Sequence, residues 1–276
     1  MTVHHGKSSA TQETTLRLDD GEIRVHQDGP REAPALLLIH GTGVSARSWE
    51  PILPLLTGSH RVLRIDLLGC GRSARPDGAS YAVPDQARRA GEALDRLGVE
   101  HAVVVGHSSG GVVATSLTEQ RPGLVTAVVL VNTGPDMAAY VAKEPGIRVA
   151  SWAELTDDQV RQAISNGFRP GYEIPQAFVD QFRDVDFGVF AATSQAIRAY
   201  LDERSLPDRL APLGKPLLAL FGEEDSRWRP SSANDYRAVP GATIAMLPAT
   251  GHSPLIEDPP GTAAPLLAFT ANHRGR

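Results

Sequence analysis

The sequence predicts an α/β fold in which a mostly parallel, doubly wound, eight-stranded sheet carries a helical insertion after its sixth strand. Two observations predict the sheet: short Val-, Leu- and Ile-rich runs recur along the chain, and helical patterns alternate with them. A third predicts the insertion. Between Val131 and Leu217 far more sequence intervenes than one crossover helix needs.

Residues 1–13 are polar and without an apolar core, and are expected to be disordered. Thr14 to Leu18 and Glu22 to His26, joined by Asp19, Asp20 and Gly21, read as an antiparallel hairpin at the sheet edge, with Asp-Gly supplying the positive φ of a tight turn. The buried-strand runs follow at Ala35 to Ile39, Arg61 to Ile65, Ala102 to Val105, Thr126 to Val131, Leu217 to Phe221 and Thr243 to Leu247. Helical patterns lie at Trp49 to Leu56, Val83 to Leu97, Val112 to Glu119, Ser231 to Ala238 and Gly261 to Thr270. One core domain over 14–133 and 208–276 is expected, with residues 134–207 forming a helical cap. In the cap, Thr156 with Gln159 reads as a capping box, and Pro175 opens a helix that places Phe178 and Phe182 on one face.

The chemistry concentrates at strand ends. Gly106, His107, Ser108, Ser109 and Gly110 form a G-x-S-x-G string between a buried-strand run and a helical one, the context in which a serine is pushed out of the sheet top on a sharp turn. His40 to Gly43 follow the third strand, Asp225 the seventh and His252 the eighth. Nucleophile, acid and histidine thus occur in the order Ser, Asp, His, at the strand ends where open α/β sheets place their sites.

These motifs, with Asp66, Gly69, Gly71 and Ser73, the string Gly222 to Asp225, and Gly251 and His252 followed by Glu257 and Pro259, resemble those of the α/β-hydrolase-fold superfamily. The resemblance covers nearly the whole chain after its first dozen residues. It implies Ser108 as nucleophile, His252 as general base and acid, and Asp225 as the acid that orients the imidazole, with Asp136 at the position some members use instead. It further implies an oxyanion hole built from the backbone N–H groups of Thr42 and Ser109. His40 and His107 are expected to be structural.

The expected reaction is hydrolysis of a carboxylic ester or lactone of a small apolar or aromatic molecule through an acyl-enzyme. A C–C bond hydrolase acting on a vinylogous diketone is the alternative, although Val44 and Ser45 stand where that class usually carries Pro and Gly. A lyase or a ligand receptor on the same fold is an alternative of another class. Trp49, Phe168, Phe178, Phe182 and Trp228 are candidate substrate-binding residues, against a plain packing role for a cap that holds most of the chain's few aromatics.

Several classes are disfavoured. Gly69 to Ala74 imitates the dinucleotide fingerprint G-x-G-x-x-A, but Pro76 and Gly78 interrupt the helix that should follow it. Neither H-E-x-x-H nor C-x-x-C occurs, so no metal and no cofactor is expected. A formal net charge of −5 argues against nucleic acid and anionic membranes as partners. The single cysteine, Cys70, and the lack of a long apolar run fit a cytoplasmic protein, monomeric or homodimeric.

Overall fold

The apolar runs pair into one eight-stranded sheet in the computed structural model, which describes residues 11–142 and 152–273. The strands are β1 (Gln12–Leu18), β2 (Gly21–Asp28), β3 (Ala35–Ile39), β4 (Arg61–Ile65), β5 (Ala102–His107), β6 (Val125–Val131), β7 (Leu217–Gly222) and β8 (Thr243–Leu247). Their spatial order is β1-β2-β4-β3-β5-β6-β7-β8. β2 runs antiparallel to both β1 and β4, and every other neighbouring pair is parallel. β3 lies between β4 and β5, so the connections from this point leave in opposite directions and open a crevice at the carboxyl ends of the strands.

Alternate residues of each central strand serve opposite layers. Leu37 and Ile39 of β3 join a core with Val104, Val112, Leu117 and Leu130, under helices α2 (Val83–Arg96) and α3 (Ser109–Gln120). Leu36 and Leu38 join Trp49, Val105, Val129 and Leu266 on the other face, under α1 (Leu53–Leu56) and α8 (Pro259–Asn272). Burial on both faces is why these strands read as unbroken apolar runs rather than alternating ones. Each such side chain contributes about 1.5–3 kcal/mol by leaving water.

Four expectations are corrected. β1 begins at Gln12, and Thr11 hydroxyl donates to Asp28, so the tail expected to be disordered to residue 13 joins the edge hairpin earlier; residues 1–10 lie outside the described ones. In that hairpin Leu18 pairs with Gly21, which leaves Asp19 and Asp20 as the loop, and the positive φ falls on the first strand residue, Gly21 (φ 149°), rather than inside an Asp-Gly turn. The helix expected over Trp49 to Leu56 is two pieces, a 3₁₀ turn at Ala46–Trp49 and α1, because Pro51 and Pro54 have no N–H to continue a ladder. The segment Pro230–Ala238 winds as a 3₁₀ helix.

Between β6 and β7 lie α4 (Asp157–Ile164), α5 (Gln176–Arg183), α6 (Phe187–Glu203) and α7 (Leu206–Leu210); residues 143–151 are outside the described ones. Thr156 and Gln159 form the capping box at α4, and Pro175 is the N-cap of α5. Helices α4 and α5 share a small cluster with Phe168 and Ile174, whereas Val189, Ile197, Tyr200 and Leu201 of α6 join the main core.

Candidate active site

Ser108 stands between β5 and α3 with φ 54° and ψ −124°, a backbone conformation that residues with a Cβ rarely adopt. The turn is possible because its neighbours are glycines. A Cβ on Gly106 would overlap the Gly110 carbonyl, and one on Gly110 would overlap the Ile39 carbonyl of the adjacent strand. Ser108 N–H donates to Val131 O (2.8 Å), and Thr133 Oγ1 donates to Ser108 O (2.9 Å), tying the turn to the end of β6. Its side chain is left half-exposed at the sheet top.

His252 follows β8 and faces the serine. Its Nε2 is 2.9 Å from Ser108 Oγ and its Nδ1 is 3.0 Å from Asp225 Oδ2. Asp225 Oδ1 accepts from the backbone N–H groups of Arg227 (2.7 Å) and Trp228 (3.1 Å), and Oδ2 accepts from the Asn132 amide (2.7 Å). Burial alone would raise the Asp225 carboxyl, but the facing His252, the Asn132 amide and the Arg227 N–H outweigh it and hold the group below its ordinary range. An acceptor-only carboxylate fixes the imidazole with its proton on Nδ1, which leaves Nε2 as acceptor toward Ser108. Asp136 is elsewhere: its carboxylate caps the turn Met137–Ala139 by accepting from Ala139 N–H.

Three further side chains, none singled out by the sequence for this purpose, hold the loop that carries His252. His107 Nε2 donates to His252 O (2.8 Å), and burial first, then the neighbouring His252, pushes His107 down to about 3. The Glu257 side chain, fully buried, accepts from Gly251 N–H (2.9 Å) and Ser253 N–H (3.1 Å), and also from Arg169 N–H of the insertion (3.0 Å). Asn132, at φ 47°, donates from one amide nitrogen to Asp225 and to Gly251 O (3.0 Å). The signal for Asn132 was a polar residue directly after the apolar run of β6, but its partners are set by cross-strand placement.

The loop after β3 reaches the same place. His40 Nε2 accepts from Leu67 N–H (3.1 Å), so its Nδ1 donates to Gly41 O (2.8 Å); complete burial keeps the ring neutral by lowering its pKa, with Asp66 and the Gly41 carbonyl opposing. Thr42 N–H, expected to be an open oxyanion donor, donates to Ser109 Oγ (2.7 Å), and Thr42 Oγ1 donates to the same oxygen (2.8 Å). Ser109 N–H, the first of α3, has no partner among the described residues, as expected of the opening turn of a helix.

Beside this loop is a narrow cavity of about 20 Å³ bordered by Thr42, Gly43, Ser109, Leu67, Cys70, Val113, Val189, Phe190 and Thr193. Its walls are mostly apolar. Thr193 Oγ1 is buried there without a hydrogen-bond partner, and burial first, then Asp66, pushes the Cys70 thiol up to about 12.

None of the five aromatics proposed for substrate contact borders that cavity. Trp49 is completely buried in the core on the α8 side, edge-on to His107, and has no face left for a ligand. Phe168 is 1% exposed and stacks on Tyr172, with Phe178 edge-on to it. Trp228 packs its ring against Tyr140 and Gly134, and offers the site only its backbone N–H. Phe182 lies over Gly43 together with Phe190, and the aromatics that border the cavity are Phe190 and Tyr81.

The arrangement can deliver a serine oxygen to a carbonyl carbon, accept its proton and return it to a leaving group. Among the described residues no cluster of three or more His, Cys, Asp or Glu could hold a metal ion, and no helix is long and apolar enough to cross a membrane.

The chain matches the model of the alpha/beta hydrolase family over residues 36–264. It is 39% identical over 208 residues to a provisionally named carbamate hydrolase, RutD, of Variovorax paradoxus, an alignment that covers 65% of this chain and 77% of that protein. It is 25% identical to a provisionally named 2-succinyl-6-hydroxy-2,4-cyclohexadiene-1-carboxylate synthase of Bacillus subtilis, over 88% of this chain and 93% of that one. Among solved structures, a hydrolase of Pseudomonas aeruginosa PA01 superposes with a TM-score of 0.80 at 27% identity, covering 95% of this chain and 99% of that one. By sequence and by fold, this chain belongs to the alpha/beta hydrolase family.

Proposed function

We propose that the protein is a serine hydrolase that cleaves a carboxylic ester or lactone of a small, largely apolar molecule through an acyl-enzyme on Ser108. The observation that carries this reading is the unbroken hydrogen-bonded run from Ser108 Oγ through His252 (2.9 Å) to Asp225 (3.0 Å). A serine hydroxyl is a weak nucleophile at neutral pH and needs a base within this reach. His252 takes the hydroxyl proton as Ser108 Oγ bonds to the carbonyl carbon, then returns it to the leaving oxygen; water repeats the sequence to release the acid. Asp225 keeps the imidazole in the productive tautomer and stabilises its cation. The cavity beside Thr42 and Ser109 supports a short apolar arm on the substrate. On this reading the enzyme acts in the cytoplasm on a dissolved small molecule, as a monomer or homodimer.

A carbamate is the second reading, favoured by the 39% identity to the Variovorax paradoxus protein. The same attack on a carbonyl carbon serves both, and only the leaving or retained nitrogen differs. Turnover of short and long p-nitrophenyl esters, lactones, an alkyl carbamate and a vinylogous diketone separates these possibilities. Short esters or lactones are expected to be preferred, and Ser108→Ala to reduce turnover on the order of 10⁴-fold or more with the fold intact. A variant as active as wild type would sink the proposal, and preference for the carbamate would move the second reading ahead. Product lacking added water would point to non-hydrolytic chemistry, the class implied by the synthase name of the Bacillus subtilis relative.

A further inference from the structure

We propose that the side-chain hydroxyl of Ser109, next to the nucleophile, is an oxyanion donor that stands in for the Thr42 N–H it accepts from; this rests on the reading of Ser108 as nucleophile. Two neighbouring backbone N–H groups were expected to point at the developing oxyanion. In the structure only one is open. Thr42 N–H is spent on Ser109 Oγ at 2.7 Å, and the Thr42 and Ser109 hydroxyl oxygens lie 2.8 Å apart.

A hydroxyl has one hydrogen and two lone pairs. Ser109 Oγ accepts from Thr42 N–H and from Thr42 Oγ1, so both lone pairs are used and its own hydrogen has no acceptor among the described residues. If the two hydroxyls exchange roles, the unspent hydrogen belongs to Thr42 instead. Either way the pair presents one free O–H, and both residues border the cavity that adjoins Gly41, whose backbone approaches the Ser108 side chain. Two donors feeding Ser109 Oγ polarise its O–H bond and strengthen what it donates. Ser109 N–H, also without a partner, supplies the other contact.

In the reaction step, Ser108 Oγ forms its bond to the carbonyl carbon while its proton passes to His252 Nε2. The C=O π pair moves onto the carbonyl oxygen, which accepts from Ser109 N–H and Ser109 O–H. No proton leaves Ser109. When the pair returns to re-form C=O, the leaving group departs with the His252 proton.

The opposite possibility is a plug, in which Ser109 Oγ blocks a Thr42 N–H that would otherwise serve the oxyanion directly. Ser109→Ala separates the two, because it removes the O–H and frees the Thr42 N–H. Removing one oxyanion donor elsewhere costs roughly 10²- to 10³-fold, and partial replacement by the freed N–H reduces the expected loss here to roughly 10- to 100-fold in kcat with KM little changed. The rate at which an alkyl fluorophosphonate labels Ser108 should fall by a similar factor, and so should the affinity of a trifluoromethyl ketone, which forms a bound oxyanion. Thr42→Val, which keeps the backbone N–H, should cost less than Ser109→Ala. A merely structural role would lower melting temperature without moving the trifluoromethyl ketone affinity relative to that of the carboxylic acid product.

A Ser109→Ala enzyme with unchanged or raised kcat, labelling rate and inhibitor affinity would overturn the inference and favour the plug. Wild-type protein that neither turns over any ester, lactone or carbamate nor labels at Ser108 would overturn the nucleophile reading, and this inference with it. Labelling at Ser108 with no effect of Ser109→Ala would overturn this inference alone.

Discussion

Three side chains from distant parts of the chain hold the backbone on both sides of His252. His107 donates to its carbonyl, Asn132 donates to the preceding carbonyl, and Glu257 accepts from the N–H groups of Gly251 and Ser253. Fixing the loop matters because a base displaced by an ångström loses the geometry that its pKa cannot restore. Glu257→Gln tests this. An amide offers one acceptor oxygen where the carboxylate offers two, so at least one buried N–H loses its partner, at a cost of about 1–3 kcal/mol. The expected outcome is a lower melting temperature together with a fall in kcat on the order of tenfold and a smaller change in KM; unchanged kinetics would show that the loop needs no such clamp. That Ser108, Asp225 and His252 would come together was legible because each sits in a short local motif at a strand end. The roles of Asn132, His107 and the Thr42–Ser109 pair were not, since they depend on which strand ends lie side by side in the order β3-β5-β6-β7-β8.

At the scale of elements, the strand–turn–helix of β5 and α3 is the part on which the site depends most. Gly110 passes so close to Ile39 O of β3 that no side chain fits. Gly110→Ala is therefore expected to cost more than about 3 kcal/mol, at the upper end of overpacking penalties because the obstacle is backbone, and to lower or abolish the yield of folded protein. A variant that melts like wild type would contradict this close approach. The same glycines explain an error of reading: the apolar helical pattern starts at Val112, whereas α3 starts at Ser109, because Gly110 and Gly111 are placed for clearance rather than helix propensity. Ala35–Ile39, Arg61–Ile65 and Thr243–Leu247 have the bounds that hydrophobicity gives them. Other departures from expectation fall where proline interrupts a ladder, near Trp49 to Leu56, and where Gly21 takes its unusual φ inside a strand.

Across the whole molecule, buried titratable groups couple stability to pH. Complete burial lowers His40 below its ordinary 6.5 and pushes His107 down to about 3. A histidine depressed in the folded state contributes fully above pH 6.5, and that contribution is lost as pH falls, because the unfolded chain takes up protons that the native one refuses. The limiting slope is about 1.4 kcal/mol per pH unit for each such ring. Asp66 and Asp225, lowered against the opposing effect of their burial by facing histidines and N–H donors, contribute above their ordinary 3.8 and add a loss below it. Melting temperature is therefore expected to fall as pH drops from 6.5 toward 4 and more steeply below that, with His107→Gln reducing the first slope. A melting temperature independent of pH between 6.5 and 4 would contradict the neutral, buried state of both rings. Fold class was legible at this scale from strand and helix alternation alone. The aromatics between β6 and β7 were harder, since Phe168 and Phe182 pack with α4 and α5 while Phe190 borders the cavity, a distinction periodicity does not carry.

An acyl-enzyme mechanism requires Ser108 to become acylated. The most direct measurement is a rapid-quench reaction with p-nitrophenyl acetate, followed by peptide mass analysis of wild type and Ser108→Ala. A stoichiometric burst of p-nitrophenol with the acetyl group on the peptide containing Ser108, both absent from the variant, is the predicted result. An acetyl group elsewhere, or undiminished turnover by Ser108→Ala, would contradict it.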